Sequence, residues 1–165
     1  MTLLVSLGPA SPVAGEIEEV VGLAVPEEDM GASNTKTLSV PSMPGTRTPT
    51  YIMVPFCRTF QQAQRYCACR YRGRLASIHS ASINSFLLRM VHRLSNAALV
   101  WIGAVSQPAF PRPSCHWTDR SRWDYSQWVP GHPLPGHRFC TSLCSNNGRW
   151  MSVNCRRRLP FICEI

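Results

Sequence analysis

The sequence predicts an α+β domain in which two helices precede an antiparallel sheet with a long loop region. Three observations support this class. The composition changes near residue 50, and residues 59–94 contain two apolar stripes of helical period. Beyond residue 98 the chain consists of short β-favouring segments separated by Pro, Gly and Asn. Helices followed by a run of strands are typical of the α+β class.

Residues 1–50 differ from the rest of the chain in charge and composition. They contain six acids against two bases, Lys36 and Arg47, and they contain neither cysteine nor tryptophan. Pro, Gly, Ser and Thr are frequent, especially between Ser39 and Thr50. Such a segment cannot bury enough apolar surface to offset its chain entropy. We therefore expect residues 1–50 to be a disordered acidic linker and residues 51–165 to be the folded domain.

The folded part is strongly basic. Residues 51–165 contain fifteen arginines and three acids, Asp119, Asp124 and Glu164, which gives a net charge of +12. Ion pairs inside the domain cannot neutralise that excess. Arginine stays charged and forms bidentate hydrogen bonds to sulfate, phosphate and carboxylate, so the composition favours an anionic partner.

All eight cysteines lie in the same basic part. This density favours disulfides and an oxidising compartment, either secretion or a secretory granule. Zinc binding is the rival interpretation, but the close pairs Cys67-x-Cys69 and Cys140-x3-Cys144 differ from the C-x2-C units of zinc sites. A signal peptide is not evident, because "MTLLVSLGPASPVAG" lacks a basic start and a cleavage site. We find no transmembrane segment, since no apolar run is long enough.

The segment "CRTFQQAQRYC" predicts the first helix. Thr59 and Gln62 have the spacing of a capping box. Phe60, Ala63 and Cys67 fall at i, i+3 and i+7 and so share one helix face. Gly73 suits the exit from this helix.

The segment "LASIHSASINSFLLRMVHRL" predicts the second helix, with Ser80 or Ser82 as its cap. Basic residues gather at its end, where the helix dipole favours cations. Its apolar residues follow the helical period and are expected to pack in the core. They are Ile83, Phe86, Leu87, Met90, Val91 and Leu94.

Five later segments favour strands of an antiparallel sheet, because they are short and rich in aromatic and β-branched residues. They are "ALVWIGAV", "HWTDRSRWDYSQW", "FCTSLC", "GRWMSVNC" and "LPFICEI". Between the second and third lies "VPGHPLPGHR", residues 129–138, whose three prolines and two glycines predict a loop.

These features together resemble a C-type lectin-like domain, over residues 51–165. They are a cysteine in the first helix, "VWIG" after the second, a Trp-rich segment before a proline-bearing loop, and then Cys140, Trp150, Cys155 and "PFIC". The motifs "CRTFQQAQ", "YRGRLASIH", "VWIGAV", "RSRWDYSQW" and "RRRLPFIC" resemble in particular the bone-marrow proteoglycan and eosinophil granule major basic protein family. That resemblance implies an acidic propiece at residues 1–50. It also implies a non-enzymatic immune defence protein that is toxic to parasites or microbes.

The family framework implies two disulfides. It pairs Cys67 with Cys163 and Cys140 with Cys155. The remaining four cysteines are left open, either as further bridges or as thiols. They are Cys57, Cys69, Cys115 and Cys144.

Sugar-binding relatives hold calcium with acids and amides at two places. In this chain the corresponding triplets are His132-Pro133-Leu134 and Trp150-Met151-Ser152. Calcium takes six to eight oxygen ligands, largely carboxylates, and neither triplet supplies one. We therefore expect no metal site and no cofactor, with Trp150 in the core and its indole N–H in need of a partner.

The arginines are the candidate binding residues. Arg70, Arg72 and Arg74 alternate, as do Arg120 and Arg122, so each set would face one way in an extended segment. Arg156, Arg157 and Arg158 lie beside Cys155, and in a strand Arg156 and Arg158 would act together while Arg157 points elsewhere. Arg138 and Arg149 come from the surrounding loop region.

The expected function is calcium-independent binding of sulfated glycans, such as heparin or heparan sulfate, or of anionic membrane surfaces. One alternative is a calcium-independent lectin for neutral carbohydrate, which would use Trp123, Tyr125 and Trp128. Another is nonspecific nucleic-acid binding, permitted by the pI of 9.4 but without any nucleic-acid motif.

Catalysis is not expected. His132, His137 and Cys140 could be imagined as a metal cluster, but their spacing is irregular, and the resemblance assigns Cys140 to a disulfide. A Cys–His nucleophilic pair rests only on the presence of both residue types. The sequence does not indicate the oligomeric state or the preferred glycan.

Overall fold

A computed structural model of the chain describes residues 36–39 and 48–165. The described part contains two helices, which are α1, Phe60–Tyr71, and α2, Ala81–Leu94. It contains eight strands, which are β1 Lys36–Ser39, β2 Thr50–Arg58, β3 Arg74–Leu75, β4 Leu99–Gln107, β5 Ser114–Trp117, β6 Phe139–Cys144, β7 Trp150–Val153 and β8 Leu159–Glu164.

The strands form one sheet in the order β1-β2-β8-β4-β6-β7, with β3 paired to β8 and β5 paired to β4. The predicted α+β class with an antiparallel sheet is confirmed, and the structure adds one parallel contact that the sequence did not predict. The C-terminal strand β8 returns between β2 and β4, and it runs parallel to β4 where Trp101 faces Phe161. The other pairs in the sheet are antiparallel.

Helix α1 begins as its sequence predicts. The Thr59 side chain accepts the N–H of Gln62, and the Gln62 side chain accepts the N–H of Thr59, which completes the capping box. The end of α1 differs from the prediction, because Arg72 and not Gly73 adopts the left-handed conformation, with φ of 57°. Gly73 is required for another reason, since a Cβ there would lie 2.3 Å from the carbonyl oxygen of Glu164.

Helix α2 also follows its sequence pattern. Ser80 caps it by accepting the N–H of Ile83. Its stripe packs on the sheet, with four members buried and with Ile83 and Phe86 packed partly buried against them. The buried members are Leu87, Met90, Val91 and Leu94.

Two apolar clusters occupy opposite faces of the sheet. Consecutive residues of β2 alternate between them, because Tyr51 and Met53 belong to one cluster and Ile52 and Val54 to the other. Helix α2 covers the first face, and helix α1 covers the second through Phe60, Ala63 and Cys67.

Strand β2 and part of the Trp-rich segment depart from the sequence analysis. The nine-residue strand β2 was not predicted, and its pairing with β8 shifts register between Val54 and Arg58, around Pro55. The segment "HWTDRSRWDYSQW" was expected to be a strand, but only its first two residues belong to one, at the end of β5. Most of the segment is irregular, except that Trp128 pairs with Trp150 in an isolated bridge.

The structure describes a strand within the segment that was predicted to be a disordered linker. Strand β1, which lies within residues 1–50, pairs with β2 from Lys36↔Met53 to Ser39↔Thr50, so the sheet extends into the segment expected to be disordered. The rest of that prediction, residues 1–35 and 40–47, lies outside the described residues. No helix in the described ranges has the length and apolar character to cross a membrane.

Both disulfides implied by the resemblance are present, Cys67–Cys163 and Cys140–Cys155. The other four cysteines are free thiols, exposed at Cys57 and Cys69 and half-buried at Cys115 and Cys144.

Candidate functional site

The two triplets that correspond to a calcium site in sugar-binding relatives bond to each other. The ring Nδ1 of His132 accepts the N–H of Ser152 at 2.9 Å. In return the Ser152 hydroxyl accepts the N–H of Leu134 at 3.0 Å. Burial lowers the pKa of His132, which agrees with the neutral ring that an accepting Nδ1 requires. The space between the triplets is thus closed by neutral hydrogen bonds.

Trp150 lies in the core, as expected, and its indole N–H has a partner that the sequence analysis missed. It donates to Oδ1 of Asn84 on α2 at 2.9 Å, and the Asn84 amide donates to the carbonyl of Gly148 at 2.8 Å. Four aromatic rings pack around Trp150 with centroids 5.4 to 6.0 Å away. They are Trp117, Trp123, Tyr125 and Trp128.

The three acids of the domain are engaged away from most of its arginines. Arg74 Nε lies 3.3 Å from Asp119 Oδ2, and its Nη2 lies 3.6 Å from Glu164 Oε2. The third acid, Asp124, pairs with Nδ1 of His79 at 2.7 Å. The charge of Arg74 is therefore already balanced by two carboxylates.

The pKa values of these carboxyl groups reflect their surroundings. Burial raises the pKa of Glu164 above its ordinary value, although the Ser77 N–H and Arg74 act against it. Burial acts in the same direction on Asp119, but hydrogen bonds from Ser121 and Ser77, with Arg74, hold the pKa of Asp119 below its ordinary value.

The run of three arginines lies in a turn between β7 and β8, residues 154–158, here called the arginine turn. Asn154 shapes it, because its side chain accepts the N–H of Arg156 at 2.8 Å and its carbonyl accepts the N–H of Arg157 at 3.0 Å. All three arginines are exposed. The expectation that Arg156 and Arg158 share one face of a strand is wrong, since β8 begins only at Leu159.

Two further arginines belong to segments that adjoin the arginine turn. Arg138, which immediately precedes β6, places Nη1 4.0 Å from Sγ of Cys155. Arg58, at the end of β2, pairs with Leu159 in the ladder. Its guanidinium lies over the Phe56 ring, 4.5 Å from the centroid, and donates to the carbonyl of Cys57 at 2.9 Å. These two residues and the arginine turn form what we call the basic end. Its five arginines are Arg58, Arg138, Arg156, Arg157 and Arg158.

The start of α1 adds to the positive potential of the basic end. The N–H of Phe60 donates to the carbonyl of Cys155 at 3.1 Å, so the helix begins beside the turn. The first turn of α1 contains no acid, and a helix N-terminus carries partial positive charge. Arg158 also reaches this helix, with Nη1 3.5 Å from Oε1 of Gln62. Within residues 36–39 and 48–165, no carboxylate pairs with the basic end.

The remaining candidate arginines are dispersed. Arg70 and Arg72 end α1 and Arg74 lies in β3, so the expected extended run of alternating arginines does not exist. Arg120 and Arg122 lie in the irregular segment after β5, with Arg120 at a positive φ of 67°. Arg149 donates from Nη1 to the carbonyl of Trp128 at 3.3 Å, which places it beside the ring cluster.

Sequence reasoning missed two contributors to the basic end. Arg58 was not identified because β2 was not predicted. Asn154 carries the signal that could have indicated a turn, since an Asn whose side chain accepts a backbone N–H two residues later is a common turn former. In the described part of the chain, no three His, Cys, Asp or Glu side chains gather where they could hold a metal ion.

Comparison of the sequence with known proteins shows the family of the chain. The Lectin C-type domain matches residues 57–165. The chain is 41% identical to mouse proteoglycan 3 over 73% of its length, and 35% identical to mouse bone marrow proteoglycan over 95%. It is 36% identical to guinea pig eosinophil granule major basic protein 1 over 84%. The chain spans 54%, 67% and 60% of the lengths of these relatives, respectively.

Solved structures show the same fold. Human lithostathine superposes with a TM-score of 0.64 and 27% identity, covering 76% of this chain and 94% of that one. The cow carbohydrate-recognition domain of CD23, solved with an oligosaccharide, gives 0.61 and 26%, covering 76% and 97%. The chain therefore belongs to the C-type lectin domain family, in the group that contains proteoglycan 3, bone marrow proteoglycan and eosinophil granule major basic protein.

Proposed function

We propose that this chain binds sulfated glycans of the heparin and heparan sulfate class at its basic end, without calcium. The observation that carries the proposal is the segregation of charge. The three acids of the domain form ion pairs with Arg74 and His79. Five arginines lie on adjoining segments elsewhere, with no carboxylate partner in the described ranges. A carbohydrate-binding fold with that surface favours a carbohydrate that carries anionic groups.

The construction of the basic end suits a repeating anion. The Cys140–Cys155 disulfide and the Asn154 hydrogen bonds hold the backbone of the arginine turn. Fixed charges lose less entropy on binding than charges on a mobile segment. Each guanidinium offers a planar fork of donors that matches a sulfate group. We expect each exposed contact to contribute about 1 kcal/mol after solvent screening.

Calcium independence rests on the closed triplets. A calcium ion at the family's usual place would need oxygen ligands where His132 Nδ1 and the Ser152 hydroxyl already satisfy backbone N–H groups. The neighbouring side chain of Arg149 is cationic and would repel the ion. A neutral sugar has less support, because the rings that would stack on it are packed around Trp150.

We extend the proposal to the setting in which the chain acts. One relative is named as a protein of the eosinophil granule. We propose that this chain is likewise secreted or stored in a granule, that it is not an enzyme, and that attraction to anionic cell surfaces makes it a toxic defence protein. Any binding to nucleic acid is then unspecific attraction to phosphate.

A glycan array tests the proposal. The full chain is applied to sulfated and unsulfated glycans, once with calcium and once with a chelator. We expect binding to sulfated members only, at the same strength in both conditions. Preference for unsulfated sugars would contradict the charge argument, and loss of binding with chelator would contradict calcium independence.

A further inference from the structure

The loop between β4 and β5, residues 108–113, exposes an apolar side chain that the glycan site does not use. Its sequence is "PAFPRP". Phe110 is 97% exposed, and the only other exposed large apolar side chain in residues 48–165, Ile165, is 38% exposed. A phenylalanine left in water forgoes the stabilisation that burial gives. Packing of the domain therefore does not account for Phe110.

The loop holds Phe110 at a stiff tip. Its base is closed where Gln107 pairs with Ser114, the last pair of the β4–β5 ladder. Prolines stand at three of its six positions, 108, 111 and 113. Proline fixes its own φ, so the loop has few conformations to lose when it engages a partner.

The charges beside the tip are positive. Arg112 is exposed within the loop itself. On the other side of β4, Ser106 faces Phe139, so Gln107 and Arg138 leave that ladder side by side. The base of the loop thus adjoins the basic end at Arg138. Residues 108–113 contain no acid.

We propose that residues 108–113 anchor the domain to an anionic lipid bilayer. Phe110 inserts at the boundary between headgroups and acyl chains, where an aromatic ring on a cationic surface gains from both apolar burial and anionic lipid. Arg112 and Arg138 hold the acidic headgroups. A protein partner fits the loop less well, because protein interfaces bury a core of several apolar residues within a rim, and here one ring projects alone.

This inference rests on the attraction to anionic surfaces proposed above and names the loop that makes the contact, which shares only Arg138 with the glycan site. The test is sedimentation of the full chain with vesicles of phosphatidylcholine mixed with phosphatidylserine, and with vesicles of phosphatidylcholine alone. We expect the chain to bind the mixed vesicles. Phe110→Ser should weaken that binding about tenfold, from the loss of partial apolar burial. The loss should be nearly the same at low and high salt, because apolar burial is not screened.

The matched control is Arg112→Ser, two residues away in the same loop. It removes a charge and leaves the apolar tip, so its effect should shrink as salt rises. A second variant, Phe110→Trp, reports insertion directly. Its added emission, measured as the difference from the parent, should shift to shorter wavelength on mixed vesicles and be quenched by brominated lipid.

Heparin affinity of the same variants separates this inference from the proposed function. Phe110→Ser should bind heparin as the parent does. A parent that fails on heparin but still binds vesicles through Phe110 would overturn glycan binding and leave the anchor standing. The anchor is overturned if the parent ignores mixed vesicles, if Phe110→Ser binds them as tightly as the parent, or if the tryptophan at position 110 stays in water.

Discussion

Replacing two arginines of the arginine turn tests the glycan site most locally. Arg156 and Arg157 are exposed, and Asn154 holds their backbone N–H groups. Arg158 is left unchanged because it also contacts Gln62. The variant Arg156→Ser/Arg157→Ser removes two sulfate contacts of about 1 kcal/mol each. The affinity for heparin should therefore fall about thirtyfold, while the fold survives because no buried group changes.

The assay is titration calorimetry with a heparin oligosaccharide of defined length at fixed ionic strength. The charge-matched control is Arg89→Ser/Arg120→Ser, which removes two exposed arginines outside the basic end, one in α2 and one in the irregular segment after β5. Both variants lower the net charge equally, so long-range attraction changes equally. We expect the control to lose less than about threefold, since screening weakens distant charges. Equal losses in the two variants would refute a localised site.

Three further predictions concern stability. Asn84→Ala leaves the buried indole N–H of Trp150 without its acceptor, and the free energy of unfolding, measured with guanidinium, should fall by about 1–3 kcal/mol; an unchanged midpoint would show that another group replaces it. Burial raises the pKa of Glu164, so at a pH between the unfolded and the native pKa the native state keeps a proton that the unfolded chain has lost. Its contribution to stability should decline as pH rises from the ordinary glutamate pKa through the raised value. In a pH series of unfolding, Glu164→Gln should flatten this decline, and identical profiles would count against it. Gly73→Ala places a Cβ 2.3 Å from the Glu164 carbonyl, so thermal unfolding should show a lower midpoint; a midpoint equal to the parent's would mean that the C-terminal strand moves freely.

Local chemistry predicted the helices well. The Thr59–Gln62 capping box and the stripe of α2 are signals within one or two turns, and the structure contains both. The disulfides needed more, because eight cysteines have many pairings. Only the family resemblance selected Cys67–Cys163 and Cys140–Cys155, which the structure confirms.

Strand pairing was less predictable because it depends on distant parts of the chain. Pro55 interrupts the apolar run of β2 and lacks an N–H for the ladder, and the structure accommodates it at a register shift. The parallel contact of β4 with β8 joins Trp101 to Phe161, sixty positions apart in sequence. No local pattern states which strand lies between β2 and β4.

The candidate site was likewise predictable only in part. Composition predicted that the domain has more arginine than its acids can neutralise, and the acids do lie at Arg74 and His79. Which arginines meet could not be predicted, because Arg58 and Arg138 come to the arginine turn through the sheet and the Cys140–Cys155 bridge. The prediction of a strand at Arg156–Arg158 was wrong because Asn154 forms a turn there and the strand begins only at Leu159.

The salt dependence of heparin binding tests the central claim most directly. Affinity of the full chain is measured over a range of sodium chloride concentrations, with chelator present. A protein that neutralises several charges of a polyanion releases condensed counterions, so the logarithm of the association constant falls linearly with the logarithm of the salt concentration. We predict a steep slope that becomes shallower in Arg156→Ser/Arg157→Ser. A slope near zero, or one that the double variant leaves unchanged, would contradict binding at the basic end.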